Sequence, residues 1–430
     1  MDSVHFASRA RLAVLGAFVA LVAACGDSNN DNAAARGDLI ANSDLTVLPK
    51  SAIDAATAAS GLQALSGKAL CDVAIKSLTY VTATPLGGVT DASGAVLVPG
   101  GAGCPGPYPI VAYARGTEVV RSRTMANPAD DETALLMGML AAQGYIVVAT
   151  DYLGYAKSSF SYHPYLHAET QATSVIDSVV AAKKALANSG VATTAKLFVT
   201  GYSQGGHAAM ATHRAIERDA PAGLSVTAAG PMSGPYDLSG TFVSGVGLLP
   251  VGAAGSTVFT PMLVTGYQKV YGNVYSTATE YFKAPYATGI ESLLPGSLSF
   301  EQLFTQGKLP LLLGDLLTPK AVSDVTTTSS SLRRALDANT LLGWTPRAPV
   351  LLCAGARDPV VAFQNTVTSA ADITARGGRV SVVDVEQVPA FAPALPPAGA
   401  TAAQLATYHG TVVPPLCLKA VRDSLFAPLK

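Results

Sequence analysis

The sequence is short of charge. Only 13% of its 430 residues are Asp, Glu, Lys or Arg, and 28 Lys and Arg against 29 Asp and Glu leave a formal net charge of −1. Without a basic excess there is no electrostatic footprint for a nucleic-acid backbone, so no nucleic-acid partner is expected. Without a high net charge, and with 49% hydrophobic residues, the chain is not of the disordered class and can bury a large core. Outside the extreme N-terminus no apolar run reaches the roughly 20 residues that a membrane-spanning helix needs. Cysteine is scarce, five in all, and the spacings do not fit a zinc site. No metal or organic cofactor is implied, and no internal repeat is visible.

What is present begins with an export signal. Arg9 and Arg11 precede an apolar stretch from Leu12 to Ala24, the charged-then-apolar layout of a secretory leader and too short to cross a bilayer. It ends Val22-Ala23-Ala24-Cys25-Gly26, which resembles the lipobox of bacterial lipoproteins. That resemblance implies a lipoprotein-type signal over residues 1–24, lipidation of Cys25 and a stable membrane anchor through several acyl chains. The protein would then be a cell-envelope lipoprotein (periplasm or outer membrane), with secretion as the other outcome. Residues 25–60, polar and then Ala-rich, read as a tether. With Cys25 lipidated, Cys71, Cys104, Cys353 and Cys417 form an even set, and an oxidising compartment favours disulfides. Three pairings can be drawn. Cys71–Cys104 with Cys353–Cys417 is the expected one, each pair flanking one end of the folded domain.

Beyond the tether, strand and helix patterns alternate. Ile75–Thr82 and Gly94–Pro99 read as antiparallel strands at a sheet edge. Tyr108–Tyr113, Tyr145–Thr150 and Lys196–Gly201 are dense apolar runs, as buried parallel strands require. Helices are expected near Glu132–Gln143, His167–Asn188 and Gly206–Arg218. Further strands are expected at Leu224–Ala229, Pro349–Ala354 and Arg379–Val385, and a last helix after Thr411. This alternation predicts an α/β fold, a mostly parallel sheet with helices on both faces. The core is expected in two parts, residues 61–236 and 346–430. Between them residues 237–345 far exceed an ordinary connection; Leu-rich and aromatic, they read as a largely helical cap insertion.

The chemistry is concentrated at one turn. Gly201-Tyr202-Ser203-Gln204-Gly205 matches G-x-S-x-G directly after a buried strand and before a helix, the setting that presents a nucleophilic serine. A side chain at either glycine would collide in so tight a turn. A serine hydroxyl needs a base, and the base an orienting acid, in the order Ser, Asp or Glu, His. Of the six histidines only His409 lies beyond the helix that follows Ser203, so it is the candidate base. His207, on that helix, is expected to pack or cap. Asp358, in the loop after Pro349–Ala354, is the candidate acid, with Asp384 or Glu386 as the alternatives. The oxyanion donors are expected to be the Gln204 amide and one from the loop Arg115-Gly116-Thr117, where Gly116 lets backbone approach closely and Thr117 can donate from its amide or hydroxyl.

With GYSQGG at 201–206, Asp151-Tyr152-Leu153-Gly154 after a strand, Trp344–Pro349, Asp358 and His409, the chain resembles the α/β-hydrolase superfamily. Within it the chain is similar to the secretory lipases and related bacterial esterases, from about residue 75 to the C-terminus. It departs from that group's frequent His-Gly-Thr in having Arg115-Gly116-Thr117. The resemblance implies hydrolysis of carboxylic esters through an acyl-enzyme, with the insertion shaping a pocket for an apolar acyl group. Asp151 is read as structural, supporting the oxyanion loop or pairing with Arg115. Two other functions fit the same pattern less well: a serine peptidase, which would need a charged feature or a propeller domain for the peptide, and a non-catalytic surface protein retaining the fold.

Overall fold

The computed structural model describes residues 34–430, so the signal segment and Cys25 lie outside the described residues. The described chain is organised around one sheet of nine strands: β1 (Leu39–Leu48), β2 (Asp72–Ala83), β3 (Val89–Gly100), β4 (Tyr108–Ala114), β5 (Ile146–Thr150), β6 (Thr193–Tyr202), β7 (Ala228–Met232), β8 (Val350–Ala354) and β9 (Val380–Asp384). Their order is β1-β2-β3-β5-β4-β6-β7-β8-β9. The pairs β1–β2, β2–β3 and β3–β5 are antiparallel; from β5 through β4 to β9 every pair is parallel.

The parallel strands read as continuous apolar runs because both faces are covered. Ile110, Ala112, Ile146, Val148, Leu197 and Val199 pack with the helices Ala168–Asn188 and Gln204–Asp219 on one face. Their neighbours Val111, Tyr113, Val147, Ala149 and Phe198 pack with the helices Asp131–Met139 and Val413–Val421 on the other. Each buried branched side chain contributes about 1.5–3 kcal/mol of transfer free energy, and a one-residue slip of register would exchange the two faces.

Two expectations are corrected here. Residues 25–60 are not a tether throughout: Leu39–Leu48 pairs with β2, making β1 the sheet edge, and Lys50–Ala59 is a helix. The strand is inconspicuous in sequence because most of its side chains are exposed, so no apolar alternation marks it. The strand expected over Leu224–Ala229 instead occupies Ala228–Met232. Gly230-Pro231 carries a turn signature, yet here Gly230 makes room for Val421, whose side chain would collide with any Cβ at that position.

Between β7 and β8, residues 233–349 add no strand to the sheet and form a series of helices, the longest being Leu238–Gly247, Ser256–Tyr271, Pro319–Thr326 and Ser331–Asn339. Cys71 is bonded to Cys104 and Cys353 to Cys417.

Candidate active site

β4 lies between β5 and β6, where the strand order reverses, and loops at the carboxyl ends of the parallel strands converge there. Ser203 follows β6 and precedes the helix Gln204–Asp219 at φ 60° and ψ −119°, a region costly for a non-glycine residue. The flanking glycines make the turn feasible. A Cβ at Gly201 would strike the carbonyls of Gly205 and Ala114, and one at Gly205 would strike Ala114 of β4.

The Ser203 hydroxyl lies 2.8 Å from His409 Nε2, and His409 Nδ1 lies 2.6 Å from Asp358 Oδ2. A carboxylate oxygen accepts, so Nδ1 carries the proton and Nε2 offers its lone pair to the serine. Asp358 is buried and fixed in turn: its Oδ1 accepts the amides of Val360 at 2.9 Å and Val361 at 3.1 Å. Behind the imidazole, the Tyr202 hydroxyl donates to the His409 carbonyl at 2.5 Å.

The alternative acids stand elsewhere and do different work. Asp384 accepts the amides of Ala356 and Glu386. Glu386 accepts the Arg357 amide at 3.0 Å, the Arg357 Nε–H at 2.8 Å and the Tyr408 hydroxyl at 2.7 Å. It thereby joins the residue before Asp358 to the residue before His409. Charge-assisted bonds of this kind are the stronger ones. Sequence reading missed this role, and the signal was available: a carboxylate one strand beyond the acid loop.

On the oxyanion side, the Gln204 amide lies in the first turn of its helix, where N–H groups have no intrahelical acceptor and the helix dipole favours negative charge. The loop after β4 divides its candidates. The Gly116 amide is occupied, donating to Glu132 Oε1 at 3.0 Å, so it is not free to donate to a substrate. The Thr117 hydroxyl is 2.8 Å from the Tyr165 hydroxyl. Its amide has no acceptor among the described residues. Glu132 also accepts the Tyr113 hydroxyl at 2.8 Å.

Asp151 does not pair with Arg115. It accepts from Ser93 Oγ, Thr124 Oγ1 and the Met125 amide, and so braces the loop leading to the helix Asp131–Met139. Arg115 is fully buried against the Tyr155 ring, 4.4 Å from its centroid, and its guanidinium meets no acceptor among the described residues. Below the turn runs a polar chain that sequence reading did not anticipate. The Gln204 side-chain amide donates to His163 Nε2 at 2.7 Å and Gln171 Oε1 at 3.0 Å; Gln171 donates to His207 Nδ1, and His207 Nε2 to the Asn339 carbonyl. Burial pushes His163 down to about 3 and His207 down to about 4, so both are neutral. His207 thus packs within a buried network, as its place on the helix leads one to expect.

Ser203 lines two cavities. One, of about 90 Å³, is apolar, with Leu238, Phe242, Val246, Phe259 and Val361 in its wall. The other is a groove of about 780 Å³ that includes Tyr113, Thr117, Glu132 and His409. No cluster of metal-ligating side chains occurs among the described residues.

The secretory lipase family model matches residues 120–407. No curated protein matches the sequence. Among solved structures, the rice cell wall degrading esterase LipA of Xanthomonas oryzae is 33% identical, with 92% of this chain and 100% of that one covered and a TM-score of 0.82. A protein of Legionella pneumophila shares 22% identity over 91% of this chain and 98% of its own, with a TM-score of 0.74. Lipase A of Candida antarctica shares 16% over 81% and 76%, with a TM-score of 0.59; these two likenesses speak for the fold alone. On the family match and the LipA identity, the chain belongs to the secretory lipase family, carboxylic ester hydrolases built on the α/β-hydrolase fold.

Proposed function

We propose that the protein is an exported serine esterase or lipase that works through an acyl-enzyme, with Ser203 as nucleophile, His409 as general base and acid, and Asp358 as the group that orients the imidazole. The observation that carries this reading is the unbroken relay from Ser203 Oγ through His409, at 2.8 Å, to Asp358, at 2.6 Å. Ser203 attacks the ester carbonyl as His409 Nε2 takes its proton. The oxyanion develops beside the amides of Gln204 and Thr117, donors fixed before the reaction begins. His409 returns the proton to the departing alcohol, and water then repeats the sequence on the acyl-enzyme. The apolar pocket beside Ser203 suits an acyl chain, with helices of the 237–345 insertion forming its wall as a cap.

Export agrees with the secretory family and with two disulfides. Lipidation of Cys25 would hold the enzyme to a cell-envelope membrane; incorporation of labelled palmitate that disappears in Cys25→Ser tests it. The catalytic reading is tested with a fluorophosphonate. Peptide mapping is expected to find the adduct on Ser203, and a folded protein that takes up no adduct there contradicts the reading.

A further inference from the structure

Ser203 stands where cavities of unequal size and charge meet, and the path of the proton decides which half of an ester enters each. In acylation the bond from Ser203 Oγ to the acyl carbon forms and the bond from that carbon to the alcohol oxygen breaks. The proton taken from Oγ passes through His409 Nε2 to the departing oxygen. That oxygen must therefore lie within hydrogen-bond reach of His409. His409, Gly410 and Thr411 line the groove of about 780 Å³, and none of them lines the pocket of about 90 Å³. On the serine-hydrolase reading above, the acyl group then occupies the small pocket and the alcohol the large groove.

The groove has a distinctive charge. Its ionic side chains are Glu118, Asp131, Glu132 and Arg123. Arg123 is already engaged, by Glu118 at 2.7 Å, Asp130 at 2.6 Å and Glu132 at 3.4 Å. Among the described residues no other cationic side chain lines the groove, and the Asp131 carboxylate is exposed with no hydrogen-bond partner there. A phosphate or carboxylate on the alcohol would meet excess negative charge and find no free cation. We propose that this groove is the alcohol subsite and that it selects bulky alcohols bearing no negative charge.

Two matched comparisons on the full-length protein test this. Cyclohexyl acetate and methyl cyclohexanecarboxylate are isomers that carry the same ring on opposite sides of the ester. Corrected for their hydroxide-catalysed rates, the first is expected to have the higher kcat/KM, by about tenfold or more given the crowded acyl side. A butanoate ester of a methyl hexoside, with and without a remote phosphate, tests charge. The phosphate is expected to lower kcat/KM about tenfold at low ionic strength, less in high salt and less in Asp131→Asn. Preference for the carboxylate isomer overturns the assignment of sides, and a phosphate without penalty overturns the charge selection. Cleavage of ethyl butanoate with no cleavage of either bulky-alcohol ester overturns the subsite while leaving the hydrolase reading intact. Loss of fluorophosphonate labelling at Ser203 marks failure of that reading instead.

Discussion

The two sides of Ser203 are held by different means. The acid–base side is fastened across the chain. Cys353, in the strand before Asp358, is bonded to Cys417 in the helix after His409, and Glu386 bridges Arg357 to Tyr408. The oxyanion side is fastened through polar side chains that reach backbone or one another: Glu132 to the Gly116 amide, and Gln204 both to His163 and, through Gln171 and His207, to the Asn339 carbonyl. In the proposed mechanism the proton relay links Ser203 to His409 and Asp358, which stand on separate loops, so it needs those loops locked together. An oxyanion site is made of amides, so it needs the local backbone held in place.

The contrast can be broken first at the disulfides. By the loop-entropy argument each bond contributes about 4 kcal/mol, with sequence separations of 33 and 64. Chemical denaturation of Cys71→Ser/Cys104→Ser and of Cys353→Ser/Cys417→Ser is expected to show losses of that size. Only the second pair is expected to lower kcat as well, because only that bond ties the acid strand to the base loop. Equal kcat in the two variants would count against the division.

Next comes Glu132→Ala, which frees the Gly116 amide. Loss of one oxyanion donor typically costs about 10²-fold in kcat, and a displaced Thr117 amide is expected to cost up to that, with KM little changed. A rise in KM at constant kcat would mean that Glu132 serves substrate binding instead.

A smaller effect, per group, concerns pH. His163 and His207 titrate near 6.5 when unfolded, but in the folded protein burial holds them at about 3 and about 4. Above pH 6.5 both are neutral in both states and contribute no pH dependence. Below it the unfolded chain takes up protons that the folded one refuses, so stability falls as pH drops toward 4. At pH 5 the loss is about 2 kcal/mol for each histidine. Replacing His207 by Gln should flatten part of that slope in urea melts; an unchanged slope would remove His207 as a source.

The same two sides differ in how far they could be read from sequence. Ser203, Asp358 and His409 are side-chain chemistry in a fixed chain order, and the strand–turn–helix around Ser203 was marked by two glycines. The sheet was legible wherever both faces are buried, as in β4, β5 and β6, and illegible in β1, whose exposed side chains carry no periodic signal. β7 lies beyond its expected place because Gly230-Pro231 carries no strand signal, while in the fold Gly230 makes room for Val421. The oxyanion side was legible only in part because the proposed donors are backbone groups. Nothing in Arg115-Gly116-Thr117 says that Glu132, sixteen residues after Gly116, takes the Gly116 amide, and the His163–Gln204 contact joins residues 41 apart.

The central claim is that the reaction passes through the Ser203 hydroxyl. Its most direct test is kcat/KM for an activated short-chain ester in Ser203→Ala, with folding checked by circular dichroism and melting. The account predicts a fall of about 10⁵-fold or more, to the residual rate that oxyanion donors and binding alone sustain. A folded Ser203→Ala protein that keeps a tenth of the wild-type rate would contradict it.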